Sequence, residues 1–156
     1  MSQEGSGRRL IRHGMVLFLL GLLTGTLIPV MTSPRLGLAA HMEALLNGIF
    51  LILVGGVVWK ELRLPERLAA TGFWLLLVAA YASWGFCLLA AVFGASQTLP
   101  IAGVGHRAAP WQEQLVGVGL GIGAVCILVA CCFVIYGLRK TGESDRAAIV
   151  SGREMG

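Results

Sequence analysis

Four long apolar segments separate the charged residues of this 156-residue chain, and they constrain its fold more than any other feature. They cover residues 14–31, 37–59, 68–94 and 114–138. Each is long enough to cross a hydrocarbon core of about 30 Å as a helix, which rises about 1.5 Å per residue. Hydrophobic residues make up 56% of the chain and charged residues only 13%. The sequence therefore predicts an all-α, four-helix transmembrane bundle over residues 14–138, with almost nothing left for a water-soluble domain.

The basic residues are distributed unevenly over the segments that connect these spans. Ten of the twelve precede the first span, separate the second from the third, or follow the fourth: Arg8, Arg9, Arg12, Lys60, Arg63, Arg67, Arg139, Lys140, Arg146 and Arg153. Only Arg35 and Arg107 lie in the other two loops. The positive-inside rule then predicts a cytoplasmic segment 1–13 and a cytoplasmic, disordered tail 139–156 in a bacterial inner-membrane protein. The net charge of +4 reflects this topology and does not indicate nucleic-acid binding.

The fourth span and the loop before it have distinctive compositions. Glycines at 117, 119, 121 and 123 form two overlapping G-x-x-x-G pairs on different faces, which predicts close helix packing within or between subunits. Residues 95–113 form a loop of unusual length, and we expect it to cap the outer end of the bundle. His106, in this loop, is expected to be solvated.

Three polar residues interrupt the second span and are the first candidates for function. His41, Glu43 and Asn47 would be costly in hydrocarbon without a partner, a ligand or a reaction to serve. On a helix, His41 and Asn47 lie about 120° apart and about 9 Å apart along the axis. Glu43 is only about 40° from Asn47, so these two side chains are predicted to form a hydrogen-bonded pair at i, i+4.

Small residues lie between the directions of His41 and Asn47. Gly37, Ala44 and Gly48 would line a groove there, and either a flat ligand or another helix could occupy it. His41 itself could bind a metal or make a hydrogen bond between helices. Likewise, Glu43 and Asn47 could act in catalysis or clamp two helices together.

Tyr81 is the candidate on the third span. It shares a face with Trp74 and Trp84, a stripe that could serve packing or form the wall of a substrate site. The buried hydroxyl of Tyr81 needs a partner and could point into the same cavity as the polar residues of the second span.

Several segments resemble the bacterial hydroxylaminobenzene mutases. They are residues 17–25, 28–29, 33–38, 41–43, 47–48, 100–105 and 110–113. The resemblance implies isomerisation of an aryl hydroxylamine, such as hydroxylaminobenzene, to an ortho-aminophenol. This reaction moves a hydroxyl group within one molecule and involves no net redox change.

More distantly, residues 41–48 and the pair Gly85-Phe86 are similar to styrene oxide isomerases, small four-helix membrane enzymes that form trimers and hold haem b. This resemblance implies that His41 ligates the haem iron, which would act as a Lewis acid, and that Asn47 positions the substrate. The groove of small residues would then receive the cofactor. Cys87 stands where a tyrosine is expected in that family, so Glu43 and Tyr81 are the candidates to supply the remaining catalytic groups.

Two alternatives to a mutase remain open at this stage. One is an epoxide isomerase of the styrene oxide type. The other is a non-enzymatic membrane subunit that binds haem or quinone, although His41 is the only histidine within a predicted span, which disfavours ligation by two histidines of one chain.

Overall fold

The computed structural model describes residues 3–153, with side chains described for residues 5–139, as four long helices joined by short connections. The helices are α1 (Gln3–Leu27), α2 (Pro34–Leu53), α3 (Glu66–Phe93) and α4 (Pro110–Arg153). The described residues contain no β-strand. The prediction of an all-α, four-helix bundle is confirmed.

Each helix contains a stretch long and apolar enough to cross a membrane. These candidate spans are Gly5–Val30, Pro34–Glu61, Glu66–Phe93 and Pro110–Arg139. Many of their large apolar side chains are exposed on the outside of the bundle, among them Leu19, Val125 and Leu128. An apolar exterior of this kind is typical of a protein that faces lipid.

The ends of the bundle differ in detail from the sequence-based bounds. The first candidate span begins at Gly5, so it includes His13, which the sequence analysis had placed in the N-terminal segment 1–13. Helix α4 is assigned as far as Arg153, into the segment for which a tail was expected. The side chains after Arg139 and residues 154–156 lie outside the described part of the chain, and disorder of the tail stays a prediction.

Glycines bring the backbones of α1 and α2 into direct contact. Gly7 faces Gly55, and Gly14 faces Gly48, where a methyl group added to Gly14 would lie 2.6 Å from the Gly48 carbonyl oxygen. About two turns further along α1, Gly21 faces Ala44. With Gly7, Gly14 and Gly21 spaced by sevens, one face of α1 carries a repeating row of small residues, which allows this close approach.

The groove predicted on α2 is therefore filled by the first helix. Ala44 is fully buried, Gly48 contacts Gly14 and Phe18, and Gly37 contacts the segment that follows α1. Of the two occupants that the sequence allowed, a flat ligand or another helix, the structure places a helix there. After Leu53, α2 widens into a π-helical turn, Val54–Val58, in which Gly55 packs on Gly7.

The glycines of α4 lie on two different faces of the helix, and among the described residues only one of these faces packs against α3. The ring of Phe86 sits directly on Gly119, and a methyl group at Gly123 would lie 3.1 Å from the hydroxyl oxygen of Ser83. A methyl group added to Gly121 would have no described atom of another part of the chain within 4 Å. One predicted G-x-x-x-G pair, residues 119 and 123, thus packs α4 against α3 within the chain.

Candidate functional site

His41 on α2 contacts α1 through a hydrogen bond to its main chain. Its Nδ1 lies 2.7 Å from the carbonyl oxygen of Gly21. Gly25 leaves room for the ring, since a methyl group added there would lie 2.9 Å from the same nitrogen. A carbonyl oxygen can only accept, so Nδ1 carries the hydrogen and Nε2 keeps its lone pair in the neutral ring.

This geometry unites the two interpretations that the sequence left open for His41. The bond to Gly21 is a hydrogen bond between helices, as one interpretation expects. It is also the arrangement by which a metal-binding histidine is usually fixed, with one ring nitrogen donating to a carbonyl and the other left for the metal. His41 is half-buried, and its helical neighbours Leu38 and Met42 are 53% and 45% exposed. This side of α2 is therefore open to lipid or to another chain.

Glu43 and Asn47 form the predicted pair one turn apart on α2. The Asn47 amide nitrogen donates to Oε1 of Glu43 at 3.0 Å, and both residues are half-buried. The Glu43 carboxylate is close enough to the Cys87 thiol on α3 for the two groups to interact electrostatically. Glu43 therefore lies within electrostatic range of α3, whereas His41 contacts α1.

The directions in which His41 and Glu43 point determine whether one chain can bring them to the same reacting atom. His41 and Glu43 are two residues apart and so point about 160° away from each other on the helix. One chain consequently does not gather His41, Glu43 and Asn47 around a single reacting atom.

Tyr81 contacts α1, away from the polar pair on α2. Its hydroxyl lies 3.2 Å from Nδ1 of His13 and 3.4 Å from the His13 carbonyl oxygen, to which it donates. The two rings meet edge to face with centroids 5.9 Å apart. The hydroxyl of the half-buried Tyr81 thus has His13 as its partner, a residue that the sequence analysis did not place within the bundle.

The aromatic stripe on α3 divides between two environments. Trp84 donates from its indole nitrogen to the hydroxyl of Thr24 at 3.2 Å. Trp74 instead borders a lateral cavity of about 370 Å³ between α1 and α3, which we call the α1–α3 cavity. It is lined by Arg9, Arg12, His13, Val16, Phe73, Trp74 and Leu77.

The outer loop is organised by one acidic side chain, Glu113 at the start of α4. Its carboxylate accepts backbone N–H groups from Ser96, Gln97 and Ala108 at 3.0 to 3.2 Å. The loop is thereby folded onto the ends of α3 and α4. His106 is only partly solvated, because the residue is half-buried and its Nδ1 is buried with no hydrogen-bond partner among the described residues.

The described side chains can be tested for groups that could hold the haem that the resemblance implies. Within the described residues, no three His, Cys, Asp or Glu side chains converge to hold a metal ion on their own. A single histidine with a free Nε2 suits a metal that brings its own ring of ligands, as haem iron does. His41 could hold such an iron through Nε2, whereas Gly37, Ala44 and Gly48 are occupied by contacts with α1 and its following turn.

Fold and site together define a small, multi-pass, four-helix membrane protein with a tautomer-fixed histidine and a carboxyl–amide pair on one helix. The chain belongs to the styrene oxide isomerase family, whose model matches residues 6–139.

Two curated relatives from Ectopseudomonas oleovorans are similar over most of their length. Hydroxylaminobenzene mutase HabB is 41% identical over 134 residues, which are 85% of this chain and 81% of the relative. Hydroxylaminobenzene mutase HabA is 45% identical over 108 residues, or 69% and 79% of the two chains. No solved structure matches. The chain is accordingly an enzyme of the isomerase class.

Proposed function

We propose that this protein is a membrane-bound mutase that converts aryl hydroxylamines, such as hydroxylaminobenzene, to ortho-aminophenols in the bacterial inner membrane. The two relatives named as hydroxylaminobenzene mutases support the substrate class. The structural observation that carries the proposal is the Gly21 hydrogen bond of His41, which leaves Nε2 free for a ligand. An apolar aromatic substrate would partition into lipid and reach the site from the side of the bundle.

The reaction defines what the site must do. A weak N–O bond breaks with its electron pair leaving on oxygen, and the same oxygen must bond to the ring carbon next to nitrogen. Water would compete for the cationic intermediate, so a dry site favours the ortho product. The apolar span that surrounds the Glu43–Asn47 pair meets this requirement.

Glu43 and Asn47 supply the proton and the orientation. Glu43 would act as the general acid: a proton passes from its carboxyl group to the hydroxylamine oxygen as the N–O bond breaks, and it takes a proton back when that oxygen adds to carbon. The hydrogen on that ring carbon then moves to nitrogen, which completes an isomerisation without a net oxidant or reductant. Asn47, held by its bond to Glu43, orients the oxygen beside the carboxyl group.

Haem b is the cofactor that we propose for this protein, and Nε2 of His41 would hold its iron. When bound, ferric haem would supply a Lewis acid for the hydroxylamine oxygen. The hydrogen bond from Nδ1 to Gly21 would orient the imidazole and tune its strength as a ligand. Because Gly37, Ala44 and Gly48 pack on α1 and its following turn, they take no part in holding the cofactor in this proposal.

A homo-oligomer, a trimer by resemblance, would complete the site. Within one chain His41 contacts α1 and Glu43 points about 160° away from it on the helix, so in this proposal the groups that act on one substrate molecule come from two copies. The exposed surface around Leu38 and Met42 is where a second copy would bring its Glu43–Asn47 pair to His41. Tyr81 is left out of the chemistry, because its hydroxyl is engaged with His13.

An epoxide isomerase is the second candidate, and the family match favours it. The two activities separate in one assay, in which purified protein receives either hydroxylaminobenzene or styrene oxide without any redox partner. We expect ortho-aminophenol as the main product. Turnover of styrene oxide alone would assign the chain to the epoxide reaction instead.

The role of His41 is tested in the same assay with two histidine variants. We expect His41→Ala to lose both the Soret absorption and the mutase activity. His106→Ala, which alters a histidine in the outer loop, should keep both. A His41→Ala protein that retains the Soret band and full activity would eliminate the proposed role.

A further inference from the structure

The α1–α3 cavity has no part in the proposed reaction, although it is built from polar and aromatic groups. Its α1 wall begins with Arg9, Arg12 and His13 and continues with Val16. Its α3 wall is formed by Phe73, Trp74 and Leu77. At 370 Å³ the cavity falls within the size range of ligand sites.

Polarity changes along the cavity from one end to the other. From Arg9 to Val16 the α1 wall extends about 10 Å along the helix axis, toward the middle of the bilayer. The charged residues lie at the end nearer the helix terminus, and the apolar ones lie deeper. A ligand that matches this gradient has an anionic head and an apolar tail.

The cationic end is well suited to a phosphate group. Arg9 and Arg12 are both exposed, and the described side chains provide no carboxylate partner for either of them. A guanidinium group can donate two parallel hydrogen bonds to phosphate oxygens. The cavity opens toward the end of the bundle that carries seven of the nine basic residues with described side chains, where anionic lipids are attracted.

The deeper end is suited to an acyl chain. Trp74 is 61% exposed and presents a broad ring surface beside Leu77. A free inorganic anion would leave this surface unused.

We propose that the α1–α3 cavity binds one anionic phospholipid from the leaflet on the basic side of the protein, with its phosphate on Arg9 and Arg12 and an acyl chain against Trp74. This site is separate from His41 and does not depend on the proposed reaction. Bound there, the lipid bridges α1 and α3 next to the contact between His13 and Tyr81.

Native mass spectrometry of the delipidated full-length protein tests this inference, with phosphatidylglycerol or phosphatidylcholine added at equal concentration. We expect one retained phosphatidylglycerol per chain. Its preference over phosphatidylcholine should be about 30-fold, the factor expected for two arginines near a membrane surface. The double variant Arg9→Gln/Arg12→Gln should lose this preference.

A matched control comes from the neighbouring groove between α1 and the end of α2, which Arg8 and Lys60 line. The variant Arg8→Gln/Lys60→Gln removes the same charge from the same membrane side and should keep the preference. Equal losses in both double variants would overturn the proposal, as would displacement of phosphatidylglycerol by equimolar inorganic phosphate. A change in oligomeric mass without a change in bound lipid would show that a second copy occupies the cavity, and would also overturn it.

Discussion

Substituting Gly25 by alanine tests how much the site depends on the position of the His41 ring. The added methyl carbon would lie 2.9 Å from Nδ1 and 3.0 Å from Cε1 of His41. Ordinary van der Waals contact begins at 3.4 Å, so the ring must move by about half an ångström. That movement strains a hydrogen bond to Gly21 that is only 2.7 Å long.

The expected effect falls on function more than on stability. Weakening one such hydrogen bond lowers the free energy of unfolding by about 1 kcal/mol. Replacing glycine by alanine within a helix raises it by up to about the same amount, so the two effects nearly cancel. Loss of a group that orients a metal-binding histidine typically lowers metal affinity or activity by about 10- to 100-fold. We therefore expect Gly25→Ala to unfold near the wild-type temperature and to lose at least about tenfold in mutase rate and haem retention.

Gly121→Ala is the matched control, because nothing lies near the position of its added methyl group. Initial rates with hydroxylaminobenzene, the Soret absorbance per protein and thermal unfolding in detergent would be compared for both variants. The control should match the wild type in rate and absorbance. If Gly25→Ala also keeps a wild-type rate and a wild-type Soret band, then the position of the His41 ring against Gly21 and Gly25 does not determine activity or haem binding.

Three further predictions concern the bundle itself. Gly14→Ala, which puts a methyl group 2.6 Å from a carbonyl oxygen on α2, should cost about 1–3 kcal/mol through overpacking; a thermal unfolding temperature equal to that of Gly121→Ala would contradict this. Glu113→Ala should destabilise the chain by about 1–3 kcal/mol and speed hydrogen exchange at Ser96, Gln97 and Ala108, whose N–H groups lose their acceptor; unchanged exchange would refute it. Tyr81→Phe should cost about 1 kcal/mol of stability but keep the mutase rate within about threefold, since the lost bond is to His13; a loss of rate of a hundredfold would return Tyr81 to the catalytic groups.

Features that depend on one helix could be predicted from the sequence. The four spans follow from runs of apolar residues, and the bond between Glu43 and Asn47 follows from a spacing of four. The row of Gly7, Gly14 and Gly21 was also visible as a repeat of seven, and it would have identified the helix that fills the groove on α2.

Features that depend on which helices meet could not be predicted in this way. The partners of His41 and Tyr81 lie 20 and 68 residues away on α1, and the sequence of α2 or α3 alone does not show which residues of α1 they meet. His13 was missed because α1 begins well before the apolar run, so a residue assigned to the aqueous segment is paired inside the bundle. The loop bonds of Glu113 reach back 16 and 17 residues and depend on the fold of an irregular segment.

Chemical rescue of His41→Gly with free imidazole tests the central claim most directly. The variant, purified in detergent, would be titrated with imidazole while the Soret absorption and the formation of ortho-aminophenol are followed together. If Nε2 of His41 holds the haem iron and the reaction depends on it, both signals start low and recover in parallel as imidazole enters the vacated space. A variant that forms product at the wild-type rate before any imidazole is added would contradict the account.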